Sequence, residues 1–225
     1  MPGYSTRQQC VSVGGHVWRL RVLSDKQQFS DPDGHGARLG ISSAQWSLFG
    51  QLWPSGRLLA QAMQRFEVAG KRVLELGCGI GLASLVLQQR GVDVVASDVH
   101  PLAEPFLAYN AALNALPAVH YRQLRWDVPL PALGHFDLII ASDVLYEVGH
   151  SGLLAGVIDR HAYPAAEVLV TDPGRGNSSR FSRLLGERGF SLVEECCPMD
   201  DRDQPPYRGR LLHYSRTAPD APWTA

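Results

Sequence analysis

Three glycines at alternate positions, Gly77, Gly79 and Gly81, end the apolar run Arg72-Val-Leu-Glu-Leu76 and stand directly before Leu82-Ala-Ser-Leu-Val-Leu87. The pattern predicts a buried strand, a tight turn and the start of a helix. Glycines let such a turn adopt positive φ and approach a ligand closely, and the helix start behind them offers unpaired N–H groups. The chemistry this suits is the binding of a nucleotide-like cofactor. Asp98 ends the next apolar run, Gly91-Val-Asp-Val-Val-Ala-Ser-Asp98. Its distance from Gly77 fits a strand–helix–strand unit in which an acid at the second strand tip accepts both ribose hydroxyls; the competing reading is a helix N-cap for the segment from Pro101. A third acid, Asp143, follows Phe136-Asp-Leu-Ile-Ile-Ala-Ser142, with Tyr146 three residues on. A carboxylate at the end of so apolar a strand costs free energy unless it is paired or used. The plainer alternative there is an Asp N-cap beside a core tyrosine.

A dinucleotide is the first ligand to consider, since its fingerprint is G-x-G-x-x-G after a strand. Gly77 and Gly79 fit, but the third glycine falls one place early at Gly81, and Leu82 stands where the fingerprint needs glycine. Glu75, inside the strand end, would also repel a pyrophosphate; a cofactor with a cationic end and no phosphates meets no such objection. Glu75-Leu-Gly-Cys-Gly-Ile-Gly81 resembles motif I of the class I, seven-β-strand S-adenosylmethionine methyltransferases. In that family the glycine turn lies under the methionine part of the cofactor and the acid helps hold the site. The resemblance thus implies cofactor contacts from Glu75, Gly77, Gly79 and Gly81, with Cys78 as the small residue the turn accommodates and no nucleophilic role for its thiol.

Asp143-Val-Leu-Tyr146 resembles the Asp-x-x-Tyr motif of the protein lysine methyltransferases of this fold, which implies a catalytic role for Asp143 and Tyr146, with Ser142 and Asp143 also at the cofactor. The third strand ends Leu124-Arg-Trp126-Asp127; in the family an acid here binds the adenine amine and an aromatic neighbour covers the ring, whereas a turn-shaping Asp and a core Trp are the alternatives. Ser47-Leu-Phe-Gly-Gln-Leu-Trp53-Pro-Ser-Gly56 is similar to the approach segment whose Trp packs at the cofactor's edge, which assigns Trp53 there. Val168-Leu-Val-Thr-Asp172-Pro-Gly-Arg175 is similar to a turn of the enzymes that modify the β-subunit of electron-transfer flavoprotein and of nicotinamide N-methyltransferase-like relatives; it is expected to line the substrate mouth, though Asp-Pro-Gly makes a good turn anywhere. The electron-transfer-flavoprotein group carries Phe-type variants at the position of Tyr146, so substrate identity does not transfer with that turn. The resemblance covers most of residues 45–195 and implies methylation of a protein lysine. The other readings are a small-molecule N-methyltransferase, an NAD-dependent oxidoreductase and a catalytically silent cofactor-binding module.

These residues need elements to position them. Residues 9–13 and 16–23 alternate around Gly14-Gly15 as a β-hairpin, and 24–44 read as a polar loop. A helix opens at Trp53-Pro54 with proline in its first turn and runs to about Phe66. Strands at 72–76, 92–97, 119–125, 136–142 and 166–171 then alternate with helices at 80–90, 102–114, 150–161 and 178–188. Such alternation predicts an α/β, Rossmann-like, doubly wound sheet, mostly parallel and covered on both faces. The stretches 190–197 and 208–216 have only a proline-containing loop between them, which predicts a seven-stranded sheet ending in an antiparallel hairpin. The expected organisation is an N-terminal extension at 1–45, the cofactor-binding domain at 46–216 and a disordered tail at 217–225.

Composition narrows the partners. With 21 basic and 22 acidic residues and no basic run, the chain of 225 residues is not built for a nucleic-acid backbone. Cys10, Cys78, Cys196 and Cys197 show no metal spacing, and no metal is expected. No secretory leader pattern and no apolar run near 18 residues are seen, so a cytoplasmic monomer off the membrane is expected. His35, His100, His150 and His161 share no metal spacing and are read as solvated, with His100 close enough to Asp98 to brush the cofactor. Tyr4, Trp18 and Phe29 are expected to pack on the domain or shape an entrance.

Overall fold

Gly14 and Gly15 both have positive φ, 59° and 79°, the requirement of a two-residue hairpin turn whose twist matches its strands. They join β1 (Thr6–Val13) to β2 (His16–Leu23) in antiparallel register, Val13 opposite His16. Alternation turns Val11, Val13, Trp18, Leu20 and Val22 to one buried face. The computed structural model describes residues 3–174, 176–198 and 208–218.

The segment expected as a loop carries two short helices, α1 (His35–Arg38) and α2 (Ser43–Trp46). Asp31 starts α1 by accepting the N–H groups of Gly36 and Ala37. Ser42 and Gln45 start α2 as a capping box, each side chain bonded to the other's backbone N–H. Then come α3 (Pro54–Arg65), β3 (Arg72–Leu76), α4 (Leu82–Gln89), β4 (Asp93–Asp98), α5 (Ala103–Leu113) and β5 (His120–Gln123). The chain continues with β6 (Phe136–Ser142), α6 (His150–His161), β7 (Ala162–Asp172), α7 (Ser178–Gly186), β8 (Ser191–Pro198) and β9 (Arg208–Arg216). Strand β7 starts without a loop after α6, earlier than its apolar run at 166–171 suggests. The Pro205-Pro206 loop and the tail from 219 lie outside the described residues.

Among the described residues β3 to β9 form one sheet in the order β5-β4-β3-β6-β7-β9-β8, parallel from β5 to β7, with β9 antiparallel to both of its neighbours. Successive residues of a strand face opposite sides, so Val73, Leu138 and Ile140 join the core under α4, α5 and the hairpin. Leu74, Leu76, Ile139 and Ala141 join the core under α6 and α7. The chain winds outward from β3 through β4 to β5, then returns to the other side of β3 as β6. That reversal places a crevice at the carboxyl ends of β3 and β6, the standard ligand position in such sheets.

Candidate active site

A cavity of about 710 Å³ opens at this crevice, within the roughly 300–1,000 Å³ of small-molecule sites. Glu75, Gly77, Cys78, Gly79, Asp98, Trp126, Asp127, Ser142, Asp143, Tyr146 and Trp53 all line it. Gly81 does not, but caps α4 just behind the turn. Residues drawn from five loops and separated by up to 93 positions therefore meet on one space.

The turn after β3 is tied down by the Gly81 N–H to Cys78 O bond (2.8 Å) and by the Cys78 N–H to Ser97 O bond (2.9 Å). Gly77, Gly79 and Gly81 have φ of 67°, 53° and 83°. A Cβ on Gly77 would stand 3.0 Å from Val144 Cγ1 and near Trp126, whereas one on Gly79 would meet nothing. The turn thus presents open backbone to the cavity. Cys78 is buried, and burial pushes its thiol well up, which keeps it protonated.

Glu75 is 2% exposed. One of its oxygens accepts both the backbone N–H (3.0 Å) and the hydroxyl of Ser84. Desolvation raises its pKa to about 7 against the pull of those bonds, with Asp98 adding a smaller push. Asp98 accepts one backbone N–H on each oxygen, from Gly79 (2.8 Å) and His100 (2.9 Å). It therefore holds the turn in place and still carries lone pairs that face the cavity. Its pKa too is raised by burial.

Asp143 has φ 51°, a left-handed conformation that Asp and Asn tolerate better than other side chains. Its N–H is fixed by Thr171 O at 2.9 Å, and Thr171 in turn donates its hydroxyl to Ser55 O. Backbone held in this way clusters at functional sites. Tyr146 stands edge-on to His150, ring centroids 4.6 Å apart, and desolvation pushes its hydroxyl up to about 12. Trp53 is fixed by its indole N–H to Leu48 O. Asp127 lines the cavity with both oxygens engaged by Arg125, which lowers its pKa.

Three of the four histidines read as solvated are not so. His100 and His161 are buried, not solvated. His100 lines the cavity with its ring stacked on Phe49 (4.0 Å, 3°) and edge-on to Trp46, and burial lowers its pKa to about 3. His150 is largely buried as well, its Nδ1 2.9 Å from Val144 O and its Nε2 3.4 Å from Glu147. Asp172, Pro173 and Gly174 are not among the residues that line this cavity. Asp172 is instead 1% exposed and held by Arg210 at 2.7 Å, pinning β9 to the end of β7; Arg175 lies outside the described residues.

Sequence reasoning missed Gln45, Phe49, Glu147 and His150 as cavity residues. Gln45 donates to Glu147 (2.6 Å), so the segment at 39–53 closes against the loop that carries Tyr146. Ser42-x-x-Gln45 was a capping signal for α2, but nothing local told which side of the sheet α2 would cover.

A family model described as lysine methyltransferase matches residues 35–186, more than half of the chain. The chain belongs to the lysine methyltransferase family. The electron transfer flavoprotein β-subunit lysine methyltransferase of Xenopus laevis is 30% identical over 179 residues, covering 72% of each chain. That of Mus musculus is 28% identical over 161 residues, covering 70% of this chain and 60% of its own length. The calmodulin-lysine N-methyltransferase of Arabidopsis thaliana is 35% identical over 156 residues, covering 63% of this chain and 51% of its own. The chain thus spans only part of these relatives.

Solved methyltransferases share the fold. A T. Thermophilus 16S rRNA methyltransferase in complex with AdoMet and guanosine superposes over 94% of this chain and 51% of that one (TM-score 0.62, 19% identity). The magnesium protoporphyrin IX methyltransferase of Synechocystis with bound SAM covers 82% and 91% (TM-score 0.55, 20% identity). Both of these neighbours were solved with S-adenosylmethionine bound. The site fits that cofactor: an open glycine turn, one buried carboxylate (Glu75), one half-buried carboxylate (Asp98) and an aromatic wall.

Proposed function

We propose that this chain methylates a lysine side chain of a protein substrate. The observation that carries the reading is that Asp143 and Tyr146 open on the same cavity as Glu75, the glycine turn and Asp98. Asp98 would hold the ribose, and Trp126 with Asp127 the adenine. Glu75, Gly77, Cys78, Gly79 and Ser142 would hold the methionine part, with Trp53 at the cofactor's edge and Gly81 capping α4 behind the turn. When bound, the cofactor supplies an activated methyl group on a cationic sulfur.

The protein's own work is to prepare the acceptor. A lysine has an ordinary pKa of about 10.4 and must lose a proton before its nitrogen can attack. A partly desolvated cavity disfavours the ammonium form. Asp143, whose backbone N–H is held by Thr171 O, would take that proton on its carboxylate. Tyr146 stays a neutral phenol, because its pKa stands near 12, and its hydroxyl can hold the amine in line.

A protein acceptor is supported by the relatives, named for electron transfer flavoprotein β-subunit and calmodulin lysines. The four cysteines are unpaired, which suits a reducing compartment. Among the described residues no helix is long and apolar enough to cross a membrane.

The test is incubation of cell lysate with methyl-labelled cofactor and either the unaltered protein or Asp143→Ala. Label in a protein band that depends on Asp143 supports the reading. Label confined to the small-molecule fraction overturns the choice of acceptor. Binding of NADH but not of S-adenosylmethionine would overturn the whole of it.

A further inference from the structure

The N-terminal hairpin lies outside residues 35–186, yet it is joined to the cofactor turn by one side chain. Strand β2 pairs with β1 along one edge, and its other edge faces α5. There Asn114 accepts the N–H of Arg19 (3.0 Å) and donates to its carbonyl (2.7 Å). Asn110 likewise accepts the N–H of Arg21 (2.6 Å) and donates to its carbonyl. Residues four apart on a helix rise about 6 Å and residues two apart on a strand about 6.6 Å, so two asparagines one turn apart match alternate strand residues. They act as a short substitute strand.

Asn110 does one thing more. It is fully buried, and its amide also donates to Ile80 O at 3.0 Å. Ile80 sits between Gly79 and Gly81, both at positive φ. The helical ladder of α4 starts at Gly81 O, which accepts from Leu85, so Ile80 O is left outside it. The peptide joining Ile80 to Gly81 is then gripped from both sides, its N–H by Cys78 O and its oxygen by Asn110. Asn114 has no such contact; its second donation goes to Asn110 O within α5.

We propose that Asn110 is a positioning residue of the cofactor site, which couples the orientation of the glycine turn to the N-terminal hairpin. The proposal rests on the reading of this turn as the cofactor cradle. Coupling is reciprocal: a ligand that settles the turn must also settle the β2 edge, and a loosened link must weaken the ligand.

Hydrogen exchange on the unaltered protein, with and without saturating S-adenosylhomocysteine, tests the first half. Slower exchange in the peptide carrying Arg19 and Arg21, beside that of the turn, is expected. Protection confined to the cavity walls would overturn the coupling, while failure of the ligand to bind at all would instead sink the cofactor reading. Affinity for the same ligand, measured below the melting temperatures, tests the second half. Asn110→Asp keeps an acceptor for Arg21 N–H and loses the donor to Ile80; Asn114→Asp loses the matching donors without touching the turn. The first should bind about tenfold more weakly and the second as the unaltered protein does. Equal losses in both, or none in Asn110→Asp, would refute the assignment. If Asn110→Asp does not fold, the exchange experiment decides alone.

Discussion

Glu75 makes the stability of this fold depend on pH in a direction opposite to that of a paired surface carboxylate. It is 2% exposed, and its pKa rises from an ordinary 4.5 to about 7 through desolvation. Below 4.5 the side chain is protonated in both folded and unfolded chains; above 7 it is ionised in both. Between these values the folded chain holds a proton that the unfolded chain has released. Stability contributed by this group is therefore fully present below pH 4.5 and lost as pH rises through 7. A shift of about 2.5 units at 1.36 kcal/mol each amounts to roughly 3 kcal/mol, most of it between pH 5 and pH 8. Glu75→Gln keeps the shape and an oxygen for Ser84 but cannot titrate. Urea unfolding of both proteins at pH 5 and pH 8 should show the variant gaining about 2–3 kcal/mol relative to the unaltered protein at the higher pH. Parallel pH profiles would refute the claim that this carboxylate is desolvated in the folded chain.

Gly81→Ala should be destabilised by about 2–4 kcal/mol in thermal unfolding, because a Cβ there meets Leu107 Cδ1 at 2.3 Å and φ is 83°; an unchanged melting temperature would contradict the turn geometry. Arg210→Ala should lose about 3 kcal/mol by leaving Asp172 buried without its cation, while binding S-adenosylhomocysteine normally once folded. Asp143→Ala should bind the cofactor within a few-fold by calorimetry and lose transfer by about a hundredfold or more, the scale of a positioned proton acceptor. Tyr146→Phe should lower turnover with little change in cofactor affinity, as it removes only the hydroxyl.

The features legible in the sequence are those whose cause is local. The strands β3 and β6 are apolar on both faces because both are covered, and a continuous apolar run records this directly. The glycine turn is legible because positive φ selects glycine, and Asp98 because an acid ends its run. Four-residue helices such as α1 and α2 are too short to show a helical period, so the segment around them reads as loop. The burial of His100 is made by Phe49 and Trp46, more than 50 positions earlier, and no pattern near His100 records it. Asn110 and Asn114 look like ordinary polar positions of an amphipathic helix; only the packing of β2 against α5 gives them partners. Asp172 ends its strand as Asp98 does, yet its carboxylate is held by the distant Arg210, a partner that no local pattern records.

The central claim is that the acceptor brought to Asp143 and Tyr146 is a lysine amine. Its most direct test is to label proteins with methyl-labelled S-adenosylmethionine and the unaltered protein, hydrolyse the labelled band to amino acids, and identify the one that carries the label. The account predicts label in methylated lysine, absent when Asp143→Ala replaces the unaltered protein. Label in methylated arginine or histidine, or in a base-labile methyl ester, would contradict it.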